Sequence, residues 1–109
     1  MIITKMTKAE MKIFLETISY SPTLGFKAIG QFDENYKIVA ATGYDGWTPN
    51  SVQIHVWVPD PKRLSRKFIQ EAFRYPFEIA NKGLVVGLTP SNNAAALHFN
   101  RKIGFKEVY

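Results

Sequence analysis

The sequence contains no cysteine and only two histidines, His55 and His98, among its 109 residues. Without cysteine, disulfide bonds, thiolate zinc sites and a cysteine nucleophile are excluded. Two histidines make a histidine-based metal site improbable, and we expect no metal. Apolar runs are only a few residues long, far below the roughly 20 needed to span a bilayer, and the N-terminus lacks the apolar centre of a signal peptide. We therefore expect a cytoplasmic protein that does not associate with membranes.

What the sequence does contain is a sizeable apolar fraction and an excess of basic residues. Hydrophobic residues make up 46% of the chain and aromatic residues 14%, which predicts one compact domain covering 1–109. The formal net charge is +5 and the pI is about 9.6. This charge suits an anionic ligand, a nucleic acid or an acidic partner, and it does not choose among them.

The first half of the chain predicts a strand, a helix and a hairpin. A short strand at 2–4 is followed by a T-x-x-E capping box, Thr7 and Glu10, after which apolar residues recur at helical spacing. This helix ends before Ser21-Pro22. Segments 26–32 and 36–43 are apolar runs joined by the polar turn DEN, which is typical of an antiparallel hairpin. Segment 51–58, SVQIHVWV, alternates apolar and other residues and predicts a third long strand.

The second half predicts parallel pairing. Asp60-Pro61 supplies an N-cap and a proline at the first helical position, and the helix kinks or stops near Pro76. The short strand 84–88 follows, and a strand, helix and strand in this order form a right-handed crossover between parallel strands. Ser91 or Asn92 caps a last helix, which ends at Gly104 before a final strand, FKEVY. The predicted fold class is mixed α/β, antiparallel first and parallel later.

Four cations lie in the first two turns of the helix predicted to start at Pro61: Lys62, Arg63, Arg66 and Lys67. The positive end of the helix dipole and the like-charged i, i+4 pairs both disfavour this arrangement. A bound polyanion reverses the effect, because free amides and cationic side chains then converge on phosphate. The alternative is a solvated basic face that Asp60 and Glu71 partly neutralise.

The C-terminal segment carries a recognisable pattern. In the GNAT family of N-acetyltransferases, which bind acetyl-coenzyme A, a late helix and strand show the pattern N-x-x-A-x-x-x-Y-x-K-x-G-F. The sequence resembles this family in element order and in five positions of that pattern: Asn93, Ala96, Lys102, Gly104 and Phe105. The segments YPFE and GYDGW are further similar to small phage-encoded acetyltransferase-like proteins. The resemblance implies a GNAT-like central mixed sheet and transfer of an acetyl group to an amine.

The resemblance also implies where acetyl-coenzyme A binds. In the family, a splayed strand leads into a helix whose N-terminal amides hold the pyrophosphate, and the last helix packs beside the pantetheine arm. Carried over to this chain, the coenzyme-binding residues are Val56, Val58, Lys62, Arg63, Ser65, Arg66, Lys67, Asn93, Ala96 and Asn100.

Three departures from the family pattern are visible. The pyrophosphate loop usually reads Q/R-x-x-G-x-G/A, whereas KRLSRKF contains no glycine. Asn100 stands at the position of the tyrosine that often protonates the leaving thiolate, and an amide cannot donate that proton. The chain stops at Tyr109, which truncates the C-terminal hairpin and predicts an exposed edge strand that a homodimer would cover.

The candidate catalytic residues are His55 and Gln53, which share one face of the strand 51–58. An imidazole can take a proton from an acceptor ammonium near neutral pH. The alternative for His55 is a strand histidine that packs beside Trp57. Asp45 and Trp47 are candidate substrate-binding residues, with Asp45 attracting the amine, and the alternative is a turn in which the aspartate caps its own backbone.

Two other classes of function remain open at the level of sequence. A catalytically degenerate member of the fold could act by contact with a partner, as a structural or host-directed phage protein. Nucleic-acid binding fits the net charge and the Tyr, Trp and Arg content, but no nucleic-acid-binding motif accompanies them, so this function is not expected.

Overall fold

The computed structural model describes residues 2–87 and 101–102. These residues form a five-stranded mixed sheet in the order β1-β2-β3-β4-β5, with β1 to β4 antiparallel and β4 and β5 parallel. The predicted fold class is therefore confirmed. The predicted last helix and final strand lie almost wholly outside the described residues. Only 101–102 of this segment are described, and they are helical. The main elements are β1 (Ile2–Lys5), α1 (Lys8–Ile18), β2 (Lys27–Phe32), β3 (Ile38–Asp45), β4 (Ser51–Trp57), α2 (Arg66–Arg74) and β5 (Leu84–Gly87).

Helix α1 begins as the capping box predicts. The Thr7 amide donates to Glu10 Oε1 at 2.8 Å, and the Glu10 amide donates to Thr7 Oγ1 at 3.2 Å. Two of the free amides at the helix start are thus satisfied. The helix ends at Ser19, which is left-handed with φ of 53°. The chain then turns so that Tyr20 faces the sheet.

Alternation along the strands builds a core on each face of the sheet. The core on the α1 face contains Met6, Phe14, Ala28, Phe32 and Ala41. The core on the α2 face contains Ile29, Ala40, Tyr44, Val52, Ile54 and Phe68. Because neighbouring residues of β4 point to opposite faces, the same strand presents Ile54 to α2 and His55 to the side of α1.

The helix predicted to start at Pro61 begins five residues later. Pro61–Arg63 form one 3₁₀ turn, in which Asp60 accepts from the Lys62 amide at 3.1 Å. Helix α2 then starts at Arg66, because the Ser65 hydroxyl caps it by accepting from the Phe68 amide at 3.0 Å. The four cations therefore do not lie on one helix, and the predicted i, i+4 repulsion between 62 and 66 and between 63 and 67 is wrong.

The predicted break near Pro76 is confirmed as a π-helical turn, Tyr75–Ile79. Proline has no amide hydrogen, so the carbonyl of Ala72, four residues earlier, loses its helical donor. The hydroxyl of Tyr44, which is wholly buried on β3, donates to this carbonyl instead. The sheet thereby satisfies a backbone acceptor that the helix cannot.

None of the described helices is long and apolar enough to cross a membrane.

Candidate functional site

A histidine and an aspartate on neighbouring strands form the centre of the site. His55 on β4 and Asp45 at the end of β3 lie close because β3 and β4 are antiparallel, with Gly43 paired to His55 and Asp45 to Gln53. His55 Nε2 is 2.7 Å from Asp45 Oδ1. The Asp45 side chain is fully buried, whereas that of His55 is 18% exposed. The pair therefore joins a buried charge to a histidine that solvent can reach.

The loop after α1 fixes Asp45 from the other side. The Tyr20 hydroxyl and the Thr23 amide donate to Asp45 Oδ2 at 2.7 and 2.9 Å. Burial works to raise the pKa of Asp45, but hydrogen bonds from Thr23, Tyr20 and His55 outweigh it and hold that pKa below its usual value. The hydrogen bond to this carboxylate also raises the pKa of Tyr20 to about 12. Asp45 is therefore an anion and Tyr20 a neutral donor at physiological pH.

Aromatic rings enclose the imidazole. The Tyr20 ring lies over His55 with the ring centroids 4.2 Å apart, and Phe26 lies 6.5 Å away. Phe26 can approach because Gly43, the residue paired with His55, has no side chain, and a β-carbon there would clash with the Phe26 ring. These contacts limit the rotation of the His55 ring while 18% of its side chain remains exposed.

Gln53 and Trp47 lie beside this pair, and within the described chain no hydrogen bond joins either of them to His55. Gln53 packs against Gly46, where φ is +61° and a β-carbon would lie 3.1 Å from the glutamine side chain. The Trp47 indole donates to the Gly25 carbonyl at 2.9 Å, and Lys82 Nζ lies 5.8 Å from the Trp47 ring. The two residues therefore shape the end of the sheet next to the pair.

Val56 and Val58 follow His55 in the segment of chain that leads from β4 to helix α2. They line a small apolar cavity of about 20 Å³ with residues of α2, including Phe68. The described pairing of β4 with β5 ends at Ile54 and Gly87, whereas β4 continues to Trp57. The strand thus extends beyond its described parallel partner toward the 3₁₀ turn.

The start of α2 holds the remaining predicted coenzyme-binding residues. Among the described residues, the amides of Arg66 and Lys67 have no hydrogen-bond partner, as expected for the first turn of a capped helix. Lys67 pairs with Glu71 at 3.3 Å, and Arg63 pairs with Asp33 at 3.3 Å. The exposed Arg66 has no ion pair within the described part of the chain. Free amides and one unpaired cation therefore meet at this helix end.

Gln31 fixes the backbone that leads into α2. Its side chain is fully buried on β2, where its Oε1 accepts from the Ser65 amide at 3.0 Å and its Nε2 donates to the Arg63 carbonyl at 2.9 Å. The strand register shifts at Gln31, next to these contacts. None of the positive φ values in the described chain falls within 60–65, so this segment requires no glycine. Gln31 therefore fixes the backbone of this turn through two hydrogen bonds.

Replacing Gln31 with leucine is expected to lower the free energy of unfolding by about 1 to 3 kcal/mol, because the Ser65 amide and the Arg63 carbonyl lose their buried partners. Urea unfolding followed by tryptophan fluorescence measures this change. The matched control is Gln70→Leu on the exposed face of α2, for which we expect a change within about 0.5 kcal/mol. Equal effects of the two substitutions would contradict the role assigned to Gln31.

The structure brings His55 and Asp45 together and places Ser65, Arg66 and Lys67 at one helix end. The predicted coenzyme-binding residues Asn93, Ala96 and Asn100 lie outside the described residues. Three residues were not predicted: Tyr20, Thr23 and Gln31. Tyr20 and Thr23 belong to a loop with no motif, and only a polar Gln31 within an apolar strand gave a signal.

Within the described part of the chain, no group of three or more His, Asp or Glu residues could hold a metal ion.

Comparison with solved structures identifies the architecture. A chimera of the spermidine N-acetyltransferase SpeG from Vibrio cholerae and hSSAT superposes with a TM-score of 0.78 at 12% identity, covering 100% of this chain and 84% of that chain. The dodecameric spermidine N-acetyltransferase from Vibrio cholerae gives 0.77 at 12% identity, with 99% and 80% covered. This chain has the fold of these N-acetyltransferases.

A third N-acetyltransferase shares the fold. The aminoglycoside antibiotic 6'-N-acetyltransferase from Acinetobacter haemolyticus superposes with a TM-score of 0.73 at 12% identity, covering 100% of this chain and 93% of that chain. A scan against protein-family models and a search of curated proteins found no match. At this identity the likeness establishes the fold, and the chemistry must be argued from the residues of this chain.

Proposed function

We propose that this chain is an N-acetyltransferase that transfers the acetyl group of acetyl-coenzyme A to an amine. The observation that carries the proposal is the His55–Asp45 pair, which joins β4 to the end of β3 in an N-acetyltransferase fold, with His55 two residues before Trp57 at the end of β4. A partly exposed imidazole held by a buried carboxylate is suited to general base catalysis. The fold alone does not require such a pair.

The start of α2 fits the diphosphate of coenzyme A. The unpartnered amides of Arg66 and Lys67, the positive end of the helix dipole and the Arg66 guanidinium all favour an anion at this place. Ser65 caps the helix, and Gln31 holds the turn before it. We assign the predicted contacts of Lys62, Arg63 and Lys67 to the rim of the site. Arg63 and Lys67 already pair with carboxylates, which weakens the case for an extended nucleic-acid surface.

The bound coenzyme supplies an activated acetyl thioester as the acyl donor. His55 would take a proton from the acceptor ammonium, so that the neutral amine could attack the thioester carbonyl. Breaking of the C–S bond would release coenzyme A as a thiolate, which would take its proton from water because Asn100 cannot donate one. A backbone amide near Val56 on β4, or near Val58 just after it, would stabilise negative charge on the acyl carbonyl oxygen. Gln53 and Trp47 border the acceptor side. The geometry favours orientation of His55 as the role of Asp45, rather than attraction of the amine, because its side chain is fully buried and both oxygens accept hydrogen bonds.

Acetyl-coenzyme A is expected to raise the melting temperature, by an amount equivalent to about 2.7 kcal/mol of stability at a ligand concentration 100 times Kd. Charge reversal at both Arg63 and Arg66 is expected to abolish this increase, because it places carboxylates beside the diphosphate. Differential scanning calorimetry, with titration followed by the fluorescence of Trp47 and Trp57, measures both effects. The control is Lys12→Glu on exposed α1, which leaves the ligand effect unchanged.

Absence of binding at millimolar acetyl-coenzyme A would contradict the proposed function. Binding of DNA with a steep salt dependence, without a response to the coenzyme, would favour the nucleic-acid alternative. Coenzyme binding without transfer to any amine would favour a degenerate protein that acts by partner contact. A phage origin, a cytoplasmic location and a homodimer through the C-terminal strand stay predictions.

A further inference from the structure

The two nitrogens of the His55 imidazole have different environments. Nε2 faces Asp45 Oδ1 at 2.7 Å. An ionised carboxylate only accepts hydrogen bonds, so Nε2 carries a hydrogen. Among the described residues no hydrogen bond reaches Nδ1, and no fully buried side-chain nitrogen there lacks a partner, so Nδ1 retains some contact with solvent. In the neutral ring Nδ1 is then the nitrogen without a hydrogen.

The carboxylate that sets this arrangement is itself held from the far side. Tyr20 and Thr23 both donate to Asp45 Oδ2, which leaves Oδ1 for His55. Thr23 Oγ1 in turn accepts from the Gly46 amide at 2.9 Å, so the loop and the end of β3 fix one another. Within the described chain, Asp45 and Tyr20 are the titratable groups that contact the imidazole, and its other close ring neighbour, Phe26, is apolar.

We propose that Tyr20 and Asp45 are positioning residues that keep the hydrogen of neutral His55 on Nε2, so that Nδ1 receives the proton of the acceptor ammonium. This inference rests on the proposed N-acetyltransferase function and adds the reacting atom to it. The N–H bond of the ammonium breaks and its electron pair stays on nitrogen, while the proton forms a bond to Nδ1. The resulting imidazolium keeps Nε2–H directed at Asp45, whose charge stabilises it, and no proton passes to the carboxylate.

Nuclear magnetic resonance tests the tautomer without any assay of activity. A ¹⁵N-histidine-labelled His98→Gln chain contains His55 as its single imidazole. At a pH where the ring is neutral, long-range ¹H–¹⁵N correlations are expected to show a protonated Nε2 and an unprotonated Nδ1. A ring with its hydrogen on Nδ1 would overturn the inference.

The pH dependence of kcat/KM tests the positioning during turnover. Tyr20→Phe removes one hydrogen-bond donor from Asp45. The attraction between the carboxylate and the imidazolium then becomes stronger, and the acid limb of the kcat/KM profile shifts to higher pH. Asp45→Asn removes the negative charge, so the acid limb shifts to lower pH, and kcat falls about 100-fold or more because the preferred tautomer is lost. A structural role alone would not move the limb in opposite directions.

Tyr36→Phe is the matched control, because it removes a tyrosine hydroxyl from an exposed ring stacked on Phe32. Its acid limb is expected to equal that of the unmodified chain. If Asp45→Asn does not fold, Tyr20→Phe carries the test. An unshifted limb in folded Tyr20→Phe would overturn the role of Tyr20.

The proposed function and the proposed positioning of His55 can be contradicted separately. A chain with the expected tautomer but no transfer to any amine would contradict the proposed function and support the positioning of His55. A chain that transfers acetyl groups with the hydrogen on Nδ1 would contradict the positioning and leave the proposed function intact.

Discussion

Replacing His55 with glutamine is expected to lower kcat for acetyl transfer by about 100-fold to 10,000-fold, the usual contribution of a general base. Glutamine retains a polar side chain that can donate to Asp45, but it cannot take up a proton near neutral pH. Affinity for acetyl-coenzyme A is expected to stay unchanged, because the diphosphate site at the start of α2 does not include His55. Steady-state kinetics and calorimetric titration measure the two quantities separately.

Gln53→Leu provides the comparison for this result. Gln53 shares the face of β4 with His55 and packs on Gly46, but among the described residues no hydrogen bond joins it to the imidazole. We expect a much smaller change in kcat for Gln53→Leu than for His55→Gln. Full turnover in the folded His55→Gln chain would remove His55 from the mechanism while leaving coenzyme binding in place.

Replacing Asp45 with alanine is expected to lower the free energy of unfolding by about 3 kcal/mol or more. Asp45 is fully buried and accepts hydrogen bonds from Tyr20, Thr23 and His55, so its loss removes the shared acceptor of three donors and leaves a gap in the core. Chemical denaturation at pH 7 measures the change. Asp60→Ala is the matched control: it removes an exposed cap of a 3₁₀ turn and should cost only about 0.5 to 1 kcal/mol.

The contribution of Asp45 depends on pH with a definite sign. Its pKa is lower in the folded chain than in the unfolded chain, so folding favours the ionised carboxylate. The stabilisation is complete above the unfolded pKa of about 3.9 and is lost as the pH falls through the folded pKa. The difference in stability between the unmodified chain and Asp45→Ala should therefore shrink as the pH falls below about 4. A constant difference down to pH 2 would contradict this assignment.

Much of the fold follows from local sequence signals. The capping box at Thr7, the alternation in SVQIHVWV and the proline at 76 each act within a few residues, and the structure confirms all three. The start of α2 was predicted wrongly because Asp60-Pro61 is also a good local start signal. The Ser65 hydroxyl caps the helix at Arg66, and the Ser65 amide is held by Gln31, which is 34 residues distant and becomes its neighbour only when the sheet forms.

The site was predictable only in part for the same reason. His55 stands out as a polar residue on a strongly apolar strand, and its type indicates proton transfer. Its partner Asp45 lies in a segment rich in turn-forming residues, which favoured a loop rather than the buried end of β3. Tyr20 and Thr23 acquire their role through hydrogen bonds that span 25 and 22 residues, and no periodicity or spacing in the sequence encodes such contacts.

The hydrogen bond from Tyr44 to Ala72 ties the stability of α2 to that of the sheet. A helix whose hydrogen bonds all lie within it can unfold locally. Helix α2 instead ends near a proline, and its Ala72 carbonyl accepts a hydrogen bond from Tyr44 in the middle of β3. Separating the last turn of α2 from the sheet would break this buried hydrogen bond and leave the Ala72 carbonyl without its Tyr44 donor. The helix that carries the proposed diphosphate site and the strand that carries Asp45 should therefore open as one cooperative unit.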